Sequence, residues 1–217
     1  MHRTVVWPRW MNLVTLGAWL VAGSASATVV VQPSLERMAS RAQVIVRAVV
    51  EDQSVTTGEA RGRVLTLSRL KVLEGLKGAK TGETLTLYQV GGRQGKRVAQ
   101  VIGASGFRVG EEVVLFGAKF LAQDTVKFLQ GARQGGSPWA TLHPTGGYVV
   151  TYGIGLGKFT VDRTGSVPMA REELGDVAVL VPSGKGSLVP GPLVSREQPL
   201  DVFLDEVRAL VSRGGKP

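Results

Sequence analysis

The chain has 217 residues, 43% hydrophobic and 20% charged, which is enough apolar material for a packed core and too much for wholesale disorder. Its 26 Lys and Arg against 17 Asp and Glu give a formal charge of +9, which suits anionic partners such as lipid headgroups, nucleic acid or acidic polymers, or serves solubility alone. There is no cysteine, so disulfides, thiolate zinc sites, cysteine nucleophiles and lipid attachment through sulfur are excluded.

Residues 1–27 read as a cleavable secretion signal. Arg3 and Arg9 flank the start, Met11 to Val21 is apolar, and Ala22 to Ala27 are all small, with Ala25-Ser26-Ala27 as a small-x-small cleavage signature. The apolar run is about a dozen residues, short of the roughly 20 that span a bilayer as a helix. The mature chain is expected to start at Thr28 and to carry +7, since two cations and no acid lie in the signal. No later segment is long and apolar enough for a transmembrane helix.

Thr28 to Val31 predicts a short strand ended by Pro33. Ser34 caps a short helix through Arg41, with Leu35, Met38 and Ala39 on one face. Gln43 to Val50 reads as a core strand, and the polar stretch Glu51 to Gly62 as a loop. Arg63 to Leu73 alternates, with Val64, Thr66, Ser68, Leu70 and Val72 on one side. Glu74 to Gly78 then turns the chain. Glu83 to Val90 alternates again, with Leu85, Leu87 and Gln89 on one face. Gly91 to Arg97 is a basic glycine loop before a short strand from Val98 to Ile102. Glu112 to Phe116 (EVVLF) is the clearest core strand. Val126 to Leu129, Gly147 to Thr151 and Lys158 to Asp162 complete the set. Strands at 10–20-residue spacing with glycine turns predict an all-β sandwich or barrel.

Residues 170–197 read as a linker, with Pro182 to Pro192 its most flexible part. Pro199 to Arg213 predicts an amphipathic helix with Leu200, Phe203, Leu204, Val207, Leu210 and Val211 at helical spacing. The expected division is a signal over 1–27, a barrel over 28–169, the linker, and a C-terminal helix over 198–217. The apolar stripe of that helix packs either on its own barrel or on a partner.

The order of motifs resembles a recurring pattern in exported bacterial proteins of unknown function. It opens with Ser34-Leu35-Glu36 and the run Arg41 to Val50. It continues through Leu70 to Gly78 (LKVLEGLKG) and Phe107 to Phe116 (FRVGEEVVLF), and closes on Leu156 to Val161 (LGKFTV). The same succession, over about residues 34–162, is similar to the tissue inhibitor of metalloproteinases and netrin-like module. That resemblance implies an OB-like closed β-barrel of five or six strands in a secreted protein. The animal inhibitors place an N-terminal cysteine on the protease zinc. Thr28 stands at the expected mature N-terminus here, so the fold transfers and the inhibitory chemistry does not.

Candidate chemistry is sparse. His143 is the single histidine after residue 27, which excludes a three-histidine zinc site, and no HExxH occurs. Gly91 to Lys96 lacks phosphate-loop spacing, and Gly153 to Gly157 precedes a strand rather than a helix, so both read as turns. No cofactor, metal or catalytic set is expected. Glu111-Glu112 and Glu172-Glu173 are the adjacent acids a hydrolase would need, yet neighbours on a strand point apart. Basic residues cluster at Arg93, Lys96 and Arg97, with Arg61 and Arg63 as possible neighbours, and form the candidate binding set. Tyr88, Trp139, Tyr148 and Tyr152 are candidate stackers. The loops 53–61, 91–97 and 132–145 are the expected contact surfaces. The leading expectation is an exported non-catalytic module binding a protein or envelope component. The alternatives are a carboxylate-dependent hydrolase and a basic-loop binder of anionic polymer.

Overall fold

The structure, a computed structural model, describes residues 29–57, 64–101, 103–120, 147–153, 155–174, 178–182, 188–191 and 194–214. Residues 1–27, read above as a secretion signal, Arg61, Arg63, the strand expected at 126–129, Trp139, His143 and the loop 132–145 lie outside them.

Five strands close a barrel: β2 (Val44–Thr57), β3 (Val64–Lys77), β4 (Thr84–Val90), β7 (Glu112–Phe120) and β8 (Tyr148–Thr151). Their cyclic order is β2-β3-β4-β8-β7, and β7 returns to β2. Every neighbouring pair is antiparallel except β4 and β8, which meet in parallel at Leu87 and Val149. With the five barrel strands numbered in chain order, this is the 1-2-3-5-4-1 circuit of an OB-type barrel. Register shifts at Ile45/Val46, Arg47/Ala48 and Val50/Asp52 bend β2, so its first half serves both β3 and β7.

Alternation decides which side chains fill the barrel. Val44, Val46, Ala48 and Val50 point inward with Leu70, Val72, Leu85, Leu87, Val113, Leu115 and Val149. The interior turns polar toward one end, where Thr66 and Ser68 continue the inward row of β3.

The opposite face of β2 and β7 is also buried. Ile45, Val114 and Phe116 pack beneath two helices, α1 (Leu35–Arg41) and α2 (Leu200–Gly214). Burial on both faces explains the unbroken apolar run of EVVLF. Phe116, Phe159 and Phe203 form the aromatic centre of this layer, with ring centroids 4.5–6.3 Å apart. Ser34 caps α1, its hydroxyl accepting the Arg37 N–H at 3.1 Å. The stripe of α2 packs in cis: Leu200, Phe203, Leu204 and Val207 are buried, and Arg208 ties the helix to Glu74 on β3.

Three expectations are corrected. The polar stretch 51–57 belongs to β2, because Asp52 through Thr57 pair with Arg69 through Val64 and cross-strand bonds replace apolar patterning. β3 continues to Lys77 past the turn expected at Glu74, and the chain reverses from Gly78 instead. The linker expected over 170–197 carries strands. β9 (Lys158–Asp162), β10 (Met169–Glu172) and β13 (Glu197–Pro199) extend the barrel sheet from β7. β11 (Ala178–Pro182) and β12 (Leu188–Gly191) form a separate sheet with β1 (Val29–Val31). Among the described residues no helix is long and apolar enough to cross a membrane.

Candidate functional site

The basic glycine loop is a hairpin. β5 (Gly92–Gln94) pairs with β6 (Arg97–Ala99) around a two-residue Gly95-Lys96 turn, and Gly95 adopts φ +58, which that tight reversal requires. Arg93, Lys96 and Arg97 are all exposed, and among the described residues no acid lies within 4.0 Å of them. The register sorts them. Arg93 lies opposite Val98, whereas Arg97 lies opposite Gln94, so Arg93 and Arg97 occupy opposite faces of the ribbon.

Arg93 and Val98 line a groove of about 500 Å³ at the polar end of the barrel. Its other walls are inward-facing side chains of the barrel strands, Gln53, Thr66 and Gln89, and residues 98–101 and 104–107. This is the mouth of the barrel, a common location for ligand sites. Its polar groups are largely committed to holding the rim. Gln53 donates to Ser68 Oγ at 3.0 Å and to the Phe107 carbonyl at 2.9 Å. Thr66 donates to the Gly91 carbonyl at 2.8 Å, and Gln89 to the Ser105 carbonyl at 2.8 Å. Ser105 in turn donates to the Gly155 carbonyl at 2.7 Å. Gly155 allows this approach, since a Cβ there would sit 2.3 Å from the Gly103 carbonyl oxygen.

The two acidic pairs diverge, as strand geometry demands. Glu112 takes a two-point contact from Arg163 at 2.7 and 2.9 Å, with Arg47 Nε at 3.6 Å, beyond hydrogen-bond reach. Glu111 turns instead to Lys158, which is buried on the inner side of β9. The Lys158 ammonium spends its three protons on the Gly106 carbonyl at 2.6 Å, Glu111 at 2.7 Å and Glu173 at 2.9 Å. It also lies 4.7 Å from the centre of the Phe107 ring. The Thr160 hydroxyl sits between the same carboxylates, 3.0 Å from Glu111 and 3.1 Å from Glu173. Glu172 points the other way. Its fully buried carboxylate receives Arg196 Nε at 2.8 Å, Arg196 Nη2 at 2.9 Å and the Gln32 amide at 2.6 Å. Glu111, Glu172 and Glu173 are thus matched by internal cations, and each clamps a chain crossing.

Beside the mouth, the seam between β4 and β8 opens beyond its single registered pair. Tyr88 and Tyr148 pack across it at 5.3 Å, and Phe120 stacks on Tyr148 at 5.0 Å. Burial pushes the Tyr148 phenol above its ordinary pKa, so it stays neutral in the physiological range. These roles place Tyr88 and Tyr148 in packing rather than at an exposed stacking surface. Lys158 and Gln89 carry no site role in the sequence reading, and Gln53 enters it only as the edge of the expected contact loop 53–61. The available signal was a polar side chain at an inward position of an otherwise apolar strand.

Among the described residues no cluster of three metal-ligating side chains occurs. No protein-family model matches the chain, and no curated protein matches it.

Proposed function

We propose that the chain is an exported binding module without catalytic activity, and that it engages a protein or cell-envelope component through the barrel mouth and the β5–β6 hairpin. The carrying observation is a division of labour among charges. Glu111, Glu172 and Glu173 are matched by Lys158 and Arg196, while Arg93 borders a groove whose walls are held in place and Lys96 and Arg97 stand exposed on the same hairpin. A preformed concave surface with unneutralised cations suits recognition of an anionic or mixed surface. The signal-like residues 1–27 support export, and the OB-type circuit agrees with the fold that the resemblance to the inhibitor and netrin-like module implies.

The test is affinity capture from envelope and secreted fractions at low and high salt, comparing the mature chain with an Arg93→Glu/Lys96→Glu/Arg97→Glu variant. The module reading expects a component that the parent chain retains and the variant loses, with both proteins equally folded. Identical retention by both would overturn the assignment of the hairpin. The exposed cations also favour a second reading, an anionic polymer as ligand. In that case affinity falls steeply and linearly with log salt, whereas an interface with a large apolar share weakens little.

A further inference from the structure

The outer side of α1 carries charge that the described chain does not answer. Leu35, Met38 and Ala39 turn to the core, which leaves Arg37 and Arg41, four residues apart, together on the exposed side. Among the described residues neither guanidinium donates a hydrogen bond or lies within 4.0 Å of an acid.

Both arginines line a groove of about 740 Å³ whose other side is formed by Gln43, Lys119, Phe120 and Tyr152. Gln43 immediately precedes β2, and Lys119 reaches Gly78 and Glu83 between β3 and β4. The groove therefore lies at the end of the barrel opposite Gln53 and Thr66, and it shares no lining residue with the mouth groove. Some of its polar groups are already held. Gln43 Oε1 accepts the Lys119 backbone N–H at 2.8 Å, so the side-chain amide nitrogen is left to donate. Lys119 Nζ donates to the Gly78 carbonyl at 3.2 Å and lies 3.5 Å from Glu83. Arg37 and Arg41 are the open charges, and every charged residue lining the groove is a cation. Phe120 is 39% exposed while its ring stacks on Tyr148, and Tyr152 is half-buried. Unlike the hairpin cations, which register divides between two faces, these cations line one concavity with aromatic rings beside them.

The spacing narrows the occupant. Side chains four apart on a helix emerge about 6 Å from each other, and alternate side chains of an extended chain emerge about 7 Å apart on one face. Each guanidinium is a planar fork that fits one carboxylate through two parallel hydrogen bonds. A single phosphate group would leave the rings unused, and a flat lipid surface would not enter a concave groove. An extended peptide with two acids at alternate positions meets both arginines, and an apolar side chain two residues further on the same face meets the rings.

We propose that this groove binds an extended acidic segment of a partner protein, with alternate carboxylates on Arg37 and Arg41 and an apolar side chain against Phe120 and Tyr152. The site is separate from the mouth, and its assignment does not depend on what the mouth binds.

The purified full chain is titrated by fluorescence anisotropy with two labelled peptides of equal composition, Ser-Glu-Thr-Glu-Thr-Phe-Ser and its isomer Ser-Glu-Glu-Thr-Thr-Phe-Ser. Adjacent glutamates on an extended chain point to opposite faces, so the alternating peptide is expected to bind about ten-fold tighter. Arg37→Gln and Arg41→Gln are each expected to weaken it about ten-fold and to erase the preference between isomers, with melting temperatures unchanged because both side chains are exposed. Arg37→Lys/Arg41→Lys keeps the charge and removes the forks, and is expected to lose the preference between isomers as well. Arg93→Gln/Lys96→Gln/Arg97→Gln is expected to bind like the parent chain. No binding by the parent, equal affinity for the two isomers, or undiminished binding by Arg37→Gln/Arg41→Gln would each overturn the proposal. Loss of the peptide with the hairpin variant would overturn its placement at this end of the barrel. Displacement of the peptide by equimolar inorganic phosphate would assign the arginines to phosphate esters and overturn the peptide as ligand.

Discussion

The two flanks of the barrel solve opposite problems. On the helix-covered flank, α1 and α2 lie over β2, β7 and β9, three phenylalanines interlock, and Glu172 is matched by Arg196 and Gln32. On the flank of the mouth, the β5–β6 hairpin leans over β2 and β3 and the residues after it complete the wall, leaving a groove and exposed cations. One flank uses buried charge to fix the fold. The other uses backbone carbonyls at its rim to hold a space open. The contrast shows how one small barrel separates stability from recognition by covering one side with helices and the other with loops.

Substitutions sharpen this contrast in order of size. Phe203→Ala removes the centre of the aromatic layer and is expected to cost about 4 kcal/mol in chemical denaturation. Glu172→Ala leaves Arg196 uncompensated in a partly buried site and is expected to cost about 3 kcal/mol by the same measurement. Neither change touches the mouth groove, so a folded sample of either should retain its ligand at temperatures below its transition. Gly155→Ala forces a Cβ against the Gly103 carbonyl and is expected to cost about 2 kcal/mol, now with loss of captured ligand, because the displaced segment carries Ala104 and Ser105 of the groove wall. Thr151→Val removes a buried hydroxyl that has no partner among the described residues, so it should move the other way and raise stability by about 1 kcal/mol. A loss of ligand with Phe203→Ala in its folded state, or full retention with Gly155→Ala, would break the proposed separation of the two flanks.

The legible parts of the sequence were those where local chemistry and burial agree. Ser34 announced the start of α1, the unbroken EVVLF run marked a strand covered on both faces, and the spacing in 200–211 gave the stripe of α2. The alternation in β3 placed Thr66 and Ser68 on the same side as Leu70 and Val72, the side that the fold turns into the barrel. The second half of β2 was not legible, because residues 51–57 are polar and held by pairing with β3 rather than by a core. The strands within 170–197 were hidden by proline and glycine content, although each is short and finds a neighbour across the fold. The Glu111–Lys158–Glu173 cluster joins segments far apart in sequence, and an isolated lysine in KFTVD does not reveal which acids it will meet. The Arg93–Lys96–Arg97 cluster was visible, but its split across the two ribbon faces follows from register alone.

The parallel meeting of β4 and β8 at Leu87 and Val149 bears on the order in which the barrel assembles. The β2–β3 and β3–β4 pairings join strands that follow one another directly, so their loop-closure cost is small. The β4–β8 seam must wait until the intervening hairpin and β7 are in place, and it then rewards closure with a single registered pair. It is therefore expected to zip last during folding and to open first in the native state, so that backbone amides along β8 exchange with solvent sooner than those of β2. The same late seam that completes the barrel lies beside its mouth, so the part of the wall nearest the groove is also the part that yields first.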